Sequence, residues 1–140
     1  MRVCLDTNVL VSAVATRGLC ADLLVVLLAK HDLILGETVL TEVQQVLARK
    51  LRVPKDTIKE FDLFLRAQAT IIETKPGVPH QALDAADARV LAEAISGGAA
   101  VLVTGDAALL ALSDAPVEIL SPRGLWDSLR SGSRGPRRAT

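Results

Sequence analysis

Short apolar runs that do not alternate with polar residues are separated along this chain by longer segments of helical periodicity. The runs are VCL, LIL, TIIET, AAVLVT and VEILS. Strands of this composition are typical of parallel sheets, because helices cover both of their faces. The segments between them place apolar residues three and four positions apart, as amphipathic helices do. We therefore predict an α/β fold, a three-layer α/β/α sandwich with a mostly parallel five-stranded sheet.

The same patterns predict element positions and inward-facing side chains. Strands are predicted at Val3–Leu5, at Leu33–Leu35, at Thr70–Thr74, within 99–104 and within 117–121. A break between two apolar helices is expected at Arg17 and Gly18. Helical spacing predicts that the following residues face the core: Val39, Leu40, Val43, Val46, Leu47, Leu51, Ile58, Phe61, Phe64, Leu65, Leu91, Ala94 and Ile95.

The chain has 140 residues, enough for one domain with a buried core. We predict that domain at 1–130 and a flexible basic tail at 131–140, where Arg134, Arg137 and Arg138 lie without an acid. The tail is either a solvated terminus or loosely attracted to a polyanion. No apolar run approaches the roughly 20 residues that a membrane helix needs. Together with two isolated cysteines, this predicts a cytoplasmic protein with no membrane partner.

Four acidic residues stand at corresponding places in these elements. Asp6 ends the first strand, and Asp106 follows the fourth strand after Gly105. Glu42 lies early in the helix after the second strand, and Asp87 lies in the first turns of a later helix. In parallel sheets, ligands bind beyond the carboxyl ends of the strands. We therefore expect the four carboxylates to converge on one rim of the sheet.

Each acid also has a simpler explanation. Asp6 and Asp106 stand where helix N-caps occur. Asp84 and Asp87 have the spacing of a capping box. Glu42 can be a solvated surface acid, but it lies past the cap position and is the acid that capping explains least.

Clustered carboxylates raise one another's pKa, so a divalent cation would stabilise their ionised forms. Mg²⁺ and Mn²⁺ prefer oxygen ligands, and two such ions can activate water for phosphodiester cleavage. We expect Thr7 or Asn8 to cap the first helix, which leaves Asp6 free for metal. His31 and His80 lie in predicted loops, and neither is predicted to be a catalytic base.

Three stretches of the chain stand out together: LDTNVLVSA near the start, ETVLTEV after the second strand, and DAADARVLAEAISGGAAVLVTGDAALL in the second half. In this order and spacing they resemble the PIN-domain family. Within this family, the chain resembles the VapC-like toxins of bacterial toxin–antitoxin systems. The resemblance extends over nearly the whole predicted domain and preserves the order and spacing of the motifs.

The resemblance implies a Mg²⁺- or Mn²⁺-dependent endoribonuclease on a PIN-like fold, with one or two bound ions. The family's four acids, which bind metal and carry catalysis, fall on Asp6, Glu42, Asp87 and Asp106, and its supporting polar residues fall on Asn8 and Thr104. The implied partners are an RNA substrate, a cognate antitoxin and a second copy of the chain. The acid-rich DPDD of close family members reads DAAD here, which leaves fewer ligands for a second ion.

A basic run lies between two predicted helices. Arg49, Lys50, Arg52 and Lys55 are candidate contacts to RNA phosphates. The alternative is a solvated helix end, where cations favour the C-terminal dipole. The apolar faces of LLVVLLA and of the helix after Pro54 are wider than one small core needs, which favours a dimer or an antitoxin-binding groove.

Two other functions fit parts of the sequence. The thinned DAAD motif favours a catalytically weakened PIN-like module that binds RNA or protein. A receiver-like or phosphatase-like domain would instead use Asp6 as a nucleophile, although LDTN lacks the second acid of a DxD motif.

Overall fold

The computed structural model describes residues 1–74, 76 and 80–131 of the chain. Strands and helices alternate through these residues. The elements are β1 (Arg2–Leu5), α1 (Thr7–Ala15), α2 (Leu19–Lys30), β2 (Asp32–Gly36), α3 (Glu37–Arg49), α4 (Lys55–Gln68), β3 (Thr70–Ile72), α5 (Ala85–Ser96), β4 (Val101–Val103), α6 (Ala107–Leu110), β5 (Glu118–Leu120) and α7 (Pro122–Arg130). All five predicted strands are confirmed, although β3 ends before the predicted Thr74. Positions 132–140 of the predicted tail lie outside the described residues.

The five strands form one sheet in the order β3-β2-β1-β4-β5, and every pair is parallel. The predicted α/β fold is therefore confirmed, and the sheet is parallel throughout. This order differs from the 2-1-3-4-5 order of receiver-like sheets. The chain moves from β1 to β3 in one direction and then crosses to β4 and β5. Because such crossovers are right-handed, α1 to α4 cover one face of the sheet and α5 and α6 the other.

The central strands are buried on both faces, which explains their non-alternating composition. Every residue of β1 and β2 after the first is buried, and so is all of β4. Helix α7 packs against α2 and so belongs to the same helical layer as α1 and α2. The buried residues of the central strands and of helices on both faces form one hydrophobic cluster, in which Leu10, Leu27 and Leu125 are fully buried.

Three residues predicted to face the core are instead exposed. Leu51, Phe64 and Ile95 have relative exposures of 44%, 46% and 42%. Leu51 follows the end of α3, where the chain turns away through a left-handed Arg52. Phe64 and Ile95 each adjoin a fully buried residue, and one helical step rotates a side chain by about 100°. That rotation turns both side chains away from the buried face of their helices and toward solvent.

The predicted break between the first two helices is confirmed. Gly18 takes a φ of 143°, which L side chains rarely adopt, and the axes of α1 and α2 differ by 104°. In the part of the chain that the structure describes, no single helix is long and apolar enough to cross a membrane. The α1–α2 pair reaches that length and composition only when both helices are counted together across the bend.

Helix α4 is held against the start of α3 by Arg66. Its guanidinium donates to both carboxylate oxygens of Glu37 at 2.8 Å and to Asp62 at 2.9 Å. The hydrogen bonds from Arg66 lower the pKa of Glu37. Because Arg66 and Glu37 are each about one third exposed, this pair contributes at most about 1 kcal/mol to stability.

A buried glutamate joins α5 to the beginning of α3. Glu93 is 1% exposed, and its carboxylate accepts hydrogen bonds from the backbone N and the Oγ1 of Thr38. This carboxylate lies at the N-terminus of α3, where free amides and the helix dipole favour an anion. Gly36 packs against the same group, so that a methyl at this position would collide with Glu93 Oε1. The contact thus sets how α3 begins beside α5.

Replacing Gly36 with alanine should lower the free energy of unfolding by about 1–3 kcal/mol, because the new methyl overpacks the Glu93 carboxylate. The backbone is not the cause, since Gly36 has a φ of −84° that alanine also adopts. Urea denaturation measures the loss. In a Glu93→Ala background the same substitution should cost less, because the colliding Oε1 and Cδ atoms are gone and only the Cβ contact remains. Equal losses in the two backgrounds would contradict the collision.

Candidate active site

Asp6 lies where β1 ends and α1 begins, and its two carboxylate oxygens have different partners. Oδ1 accepts from the backbone N of Thr7 at 2.7 Å, so Asp6 itself is the N-cap of α1. The expectation that Thr7 or Asn8 caps this helix, leaving Asp6 free, is therefore wrong. Oδ2 accepts from Thr104 Oγ1 at 2.7 Å. The residue is 5% exposed, so these bonds fix a nearly buried carboxylate.

Thr104 connects the ends of the two central strands. It is fully buried directly after β4, donates to Asp6, and accepts from the backbone N of Asp106 at 2.9 Å. Asn8 makes a second connection, because its Oδ1 accepts from the N of Gly105 at 3.1 Å. Asp106 is the N-cap residue of α6, but its side chain makes no capping hydrogen bond. Its carboxylate is therefore not engaged in capping.

Glu42 reaches the same place from α3. Its Oε1 accepts from Thr7 Oγ1 at 2.6 Å, and the side chain is half-buried. Thr7 stands beside Asp6 in the chain, so one hydroxyl places the α3 acid next to the β1 acid. Glu42 is thus neither a cap nor a fully solvated surface acid.

The last predicted acid comes from the first turn of α5. Asp84 caps this helix by accepting from the N of Asp87 at 2.8 Å, as the sequence predicts. Asp87 itself is half-buried, and its side chain approaches Asp106. The two carboxylates can hydrogen-bond to each other only if one of them holds a proton.

These residues line one open cleft of about 700 Å³ at the carboxyl end of the sheet. All four predicted acids line it, together with Asp84, and so does one of the four predicted basic residues, Lys50. Arg49, Arg52 and Lys55 do not. Lys55 borders a separate groove between α3 and α4, with Val53 and Ile58 in its wall. Among the described residues, the lining is Asp6, Thr7, Asn8, Val11, Ser12, Glu42, Gln45, Val46, Lys50, Asp84, Asp87 and Asp106.

The gathered carboxylates make one another harder to ionise. Burial raises the pKa of Asp6, and the charges of Glu42 and Asp106 add to this, while the hydrogen bonds from Thr104 and Thr7 oppose it. Burial, a hydrogen bond with Asp106 and the neighbouring charges raise the pKa of Asp87 to about 7. The site therefore holds negative charge that its hydrogen bonds compensate only in part.

The donor set fits a hard divalent cation. Asp106 Oδ2 is buried and has no hydrogen-bond partner among the described residues, and four other carboxylates line the same cleft. Mg²⁺ and Mn²⁺ prefer such ligands, and either would supply the missing positive charge. Within the described ranges, no three His, Cys, Asp or Glu side chains already stand at metal-ligand spacing. Ion binding would therefore require the carboxylates to move closer together.

Two contributors to this arrangement were not identified from the sequence. Thr7 was assigned to helix capping, yet its hydroxyl holds Glu42. Glu93 was not singled out, yet it fixes the start of α3 through Thr38. A glutamate on the apolar face of α5 was the available signal, because a buried acid requires a specific partner.

A family model described as PIN domain matches residues 2–108. No curated protein sequence gives a significant match. The fold is similar to PAE2754 from Pyrobaculum aerophilum, with a TM-score of 0.65 and 19% identity over 94% of this chain and 90% of that one.

Two further solved structures share the fold. VapBC2 from Rickettsia felis, bound to a DNA fragment from their promoter, gives a TM-score of 0.60 at 19% identity over 86% of this chain and 97% of that one. FitAcB from Neisseria gonorrhoeae gives a TM-score of 0.55 at 17% identity over 86% of this chain and 98% of that one. At these identities the likeness shows the fold alone.

Replacing Asp87 with asparagine should stabilise the metal-free protein above neutral pH. Asp87 has an ordinary pKa of 3.8 and a folded pKa of about 7. The unfolded chain therefore loses this proton first, and the stability of the wild type falls as pH rises between the two values. The variant has no carboxyl to ionise at this position, so its free energy of unfolding does not fall in this way. The difference in free energy of unfolding between variant and wild type should therefore be largest near about pH 8 and vanish near about pH 4.

Urea denaturation in EDTA at a series of pH values measures this difference. Glu60→Gln removes the same charge from an exposed position on α4 and serves as the matched control. An Asp87→Asn advantage that did not depend on pH would show that the carboxylate cluster is not its source.

Proposed function

Because the chain belongs to the PIN-domain family, whose members are generally nucleases, we propose that it is a metal-dependent endoribonuclease and the toxin of a toxin–antitoxin pair. The observation that carries this proposal is the convergence of Asp6, Glu42, Asp87 and Asp106 on one cleft. RNA is proposed as the substrate because the motifs resemble those of VapC-like toxins. The hydrolysed bond is the phosphodiester.

Mg²⁺ or Mn²⁺ is the proposed cofactor, as one or two ions. Asp6, Asp87 and Asp106 would hold it together with Glu42. A bound ion of this kind supplies positive charge for the phosphate and acidifies water for attack on phosphorus. No side-chain nucleophile is then needed.

The chain's own hydroxyl groups prepare the acids for this role. Thr104 donates to Asp6 at 2.7 Å and Thr7 donates to Glu42 at 2.6 Å, so each of these carboxylates has a defined hydrogen-bond partner at the edge of the cleft. Partners of this kind limit the rotamers of metal-binding side chains. Asn8 restrains the loop after β4 in a similar way, because its side chain accepts a hydrogen bond from the backbone N of Gly105.

Replacing Asp6 with asparagine should lower RNA cleavage in Mn²⁺ by at least about a hundredfold. Losing an outer partner of a metal ligand already costs about 10–100-fold, and Asp6 is proposed as a ligand itself. The assay is cleavage of labelled RNA, with a DNA strand of the same sequence alongside. Asp22→Asn, at an exposed position of α2, is the matched control.

Thermal melting gives a second measurement on the same variants. Millimolar Mn²⁺ should raise the melting temperature of the wild type and of Asp22→Asn, because the ion binds the folded state, and should raise that of Asp6→Asn much less. Full activity in Asp6→Asn would contradict the metal assignment. Cleavage of DNA alone would contradict the assignment of RNA.

A catalytically weakened module that binds RNA or protein is the alternative. The DAAD motif favours it, as does the lack of preformed metal-ligand spacing among the described residues. Calorimetric titration separates the two proposals. Absence of Mg²⁺ and Mn²⁺ binding in a protein that still binds RNA would favour the module.

A cognate antitoxin and a second copy of the chain are the proposed partners, and the cytoplasm is the proposed location. Apolar side chains exposed on two helices support association. Val25 on α2 is 66% exposed, and Leu63 on α4 is 57% exposed. Both lie in the segments whose apolar faces were predicted to exceed the core.

Replacing both Val25 and Leu63 with glutamate should convert a dimer to a monomer. Both side chains are largely exposed, so the melting temperature should change little. Sedimentation equilibrium gives the mass, and Ala67→Glu adds a charge to an exposed α4 position as the control. A wild type that stays monomeric across the concentration range would contradict self-association.

A further inference from the structure

Among the twelve described residues that line the acidic cleft, Lys50 is the one basic side chain, and five of the others are carboxylates. Within the described residues Lys50 forms no ion pair and no side-chain hydrogen bond. The side chain is exposed. The ammonium is therefore not neutralised by the acids of its own cleft, and it is available to an anion that enters.

The position of Lys50 along α3 separates it from the acids. Lys50 is the C-cap of α3 and has helical backbone angles, and Glu42 lies eight residues earlier. At 1.5 Å per residue, the backbone rise between them is about 12 Å. Gln45 and Val46 line the cleft between these two residues. The helix thus presents an acid and, about two turns later, a cation to the same cleft.

This separation sets what Lys50 can act on. The backbones of Glu42 and Lys50 are about 12 Å apart along the helix axis, which exceeds the screening length of about 8 Å at physiological ionic strength. The charges that raise the pKa of Asp6 and Asp87 come from neighbouring acids, and Lys50 is not among the groups that shift either value. Lys50 is therefore placed to bind a phosphate beyond the one held at the acids.

A polynucleotide offers further phosphates on the same strand. The cleft volume of about 700 Å³ lies in the upper part of the roughly 300–1,000 Å³ range of small-molecule sites, and the cleft is open. It is larger than one ion and one phosphate require. Lysine is a flexible point charge that suits phosphate contacts without reading base identity. Gln45 adds amide donors along the same wall.

We propose that Lys50, with Gln45, forms a phosphate subsite that holds a second phosphate of the strand being cleaved. This inference rests on the proposed nuclease function and adds its substrate class. The substrate is a single strand of several nucleotides, and a dinucleotide engages the acids without the subsite. Lys50 selects for length and not for sequence.

The test compares kcat/KM in Mn²⁺ for a labelled octanucleotide RNA and a dinucleotide. Lys50→Ala should lower the octanucleotide-to-dinucleotide ratio of kcat/KM about tenfold, as expected for loss of one hydrogen bond to a charged group. The loss should lie in KM. Lys50→Arg should restore most of the ratio, and Lys30→Ala, which removes a lysine from the end of α2 outside the cleft, should keep it.

Salt dependence gives an independent measurement. Binding of the fluorescent octanucleotide in EDTA, followed by anisotropy, should weaken about tenfold in Lys50→Ala. The slope of log K against log salt should fall by about 0.7, the value for one phosphate contact on a single strand. Lys30→Ala should leave the slope unchanged.

Several outcomes would overturn the subsite. One is a kcat/KM ratio and a salt slope that do not change in Lys50→Ala. Another is a fall of the ratio in Lys30→Ala as large as that in Lys50→Ala. A third is a loss of kcat/KM in Lys50→Ala that is as large on the dinucleotide as on the octanucleotide. If the wild type cleaves neither substrate, the nuclease proposal fails, and the EDTA binding experiment still decides the subsite. A tenfold weaker affinity in Lys50→Ala then supports it, and an equal affinity removes it.

Discussion

β1 and β4 pair in parallel with Leu5 opposite Val103, so the chain leaves both strands at the same level of the sheet. Asp6 extends this ladder by donating its backbone N–H to the carbonyl of Val103 at 2.9 Å. The strand order reverses at this pair, so the following helices diverge to opposite faces and leave a crevice between them. The other contributions to the cleft, from α3 and α5, are positioned around this one contact.

The cost of the arrangement is electrostatic. Five carboxylates line one cleft, and the pKa values of Asp6 and Asp87 are raised because burial and like charges disfavour ionisation. Threonine hydroxyls and helix N-terminal amides compensate part of this charge, and Asp106 keeps a buried oxygen without a partner in the described chain. Groups that oppose folding in this way are expected at functional sites, where stability is lost in exchange for activity.

Much of this site follows from reading the sequence, because the position of an acid at a strand end or a first helical turn is a local property. Asp6, Asp106 and Asp87 were placed at the correct end of the sheet by that rule alone. The error over the cap of α1 arose from treating capping and ligand binding as exclusive. A carboxylate has two oxygens with about four acceptor positions, so Asp6 can cap a helix and still accept further partners.

Composition and periodicity determined the α/β class, the parallel sheet and the edge at which the acids gather, because burial and side-chain period are written into neighbouring residues. Tertiary structure alone decided which residues meet. Thr7 reaches Glu42 across 35 positions, Glu93 reaches Thr38 across 55, and Lys50 lines the cleft while Arg49 does not. Such pairs depend on the directions of the crossovers and on the rotation of each helix. Successive side chains along a helix differ by a rotation of about 100°, so a change of one position is enough to move a side chain from a cleft to solvent.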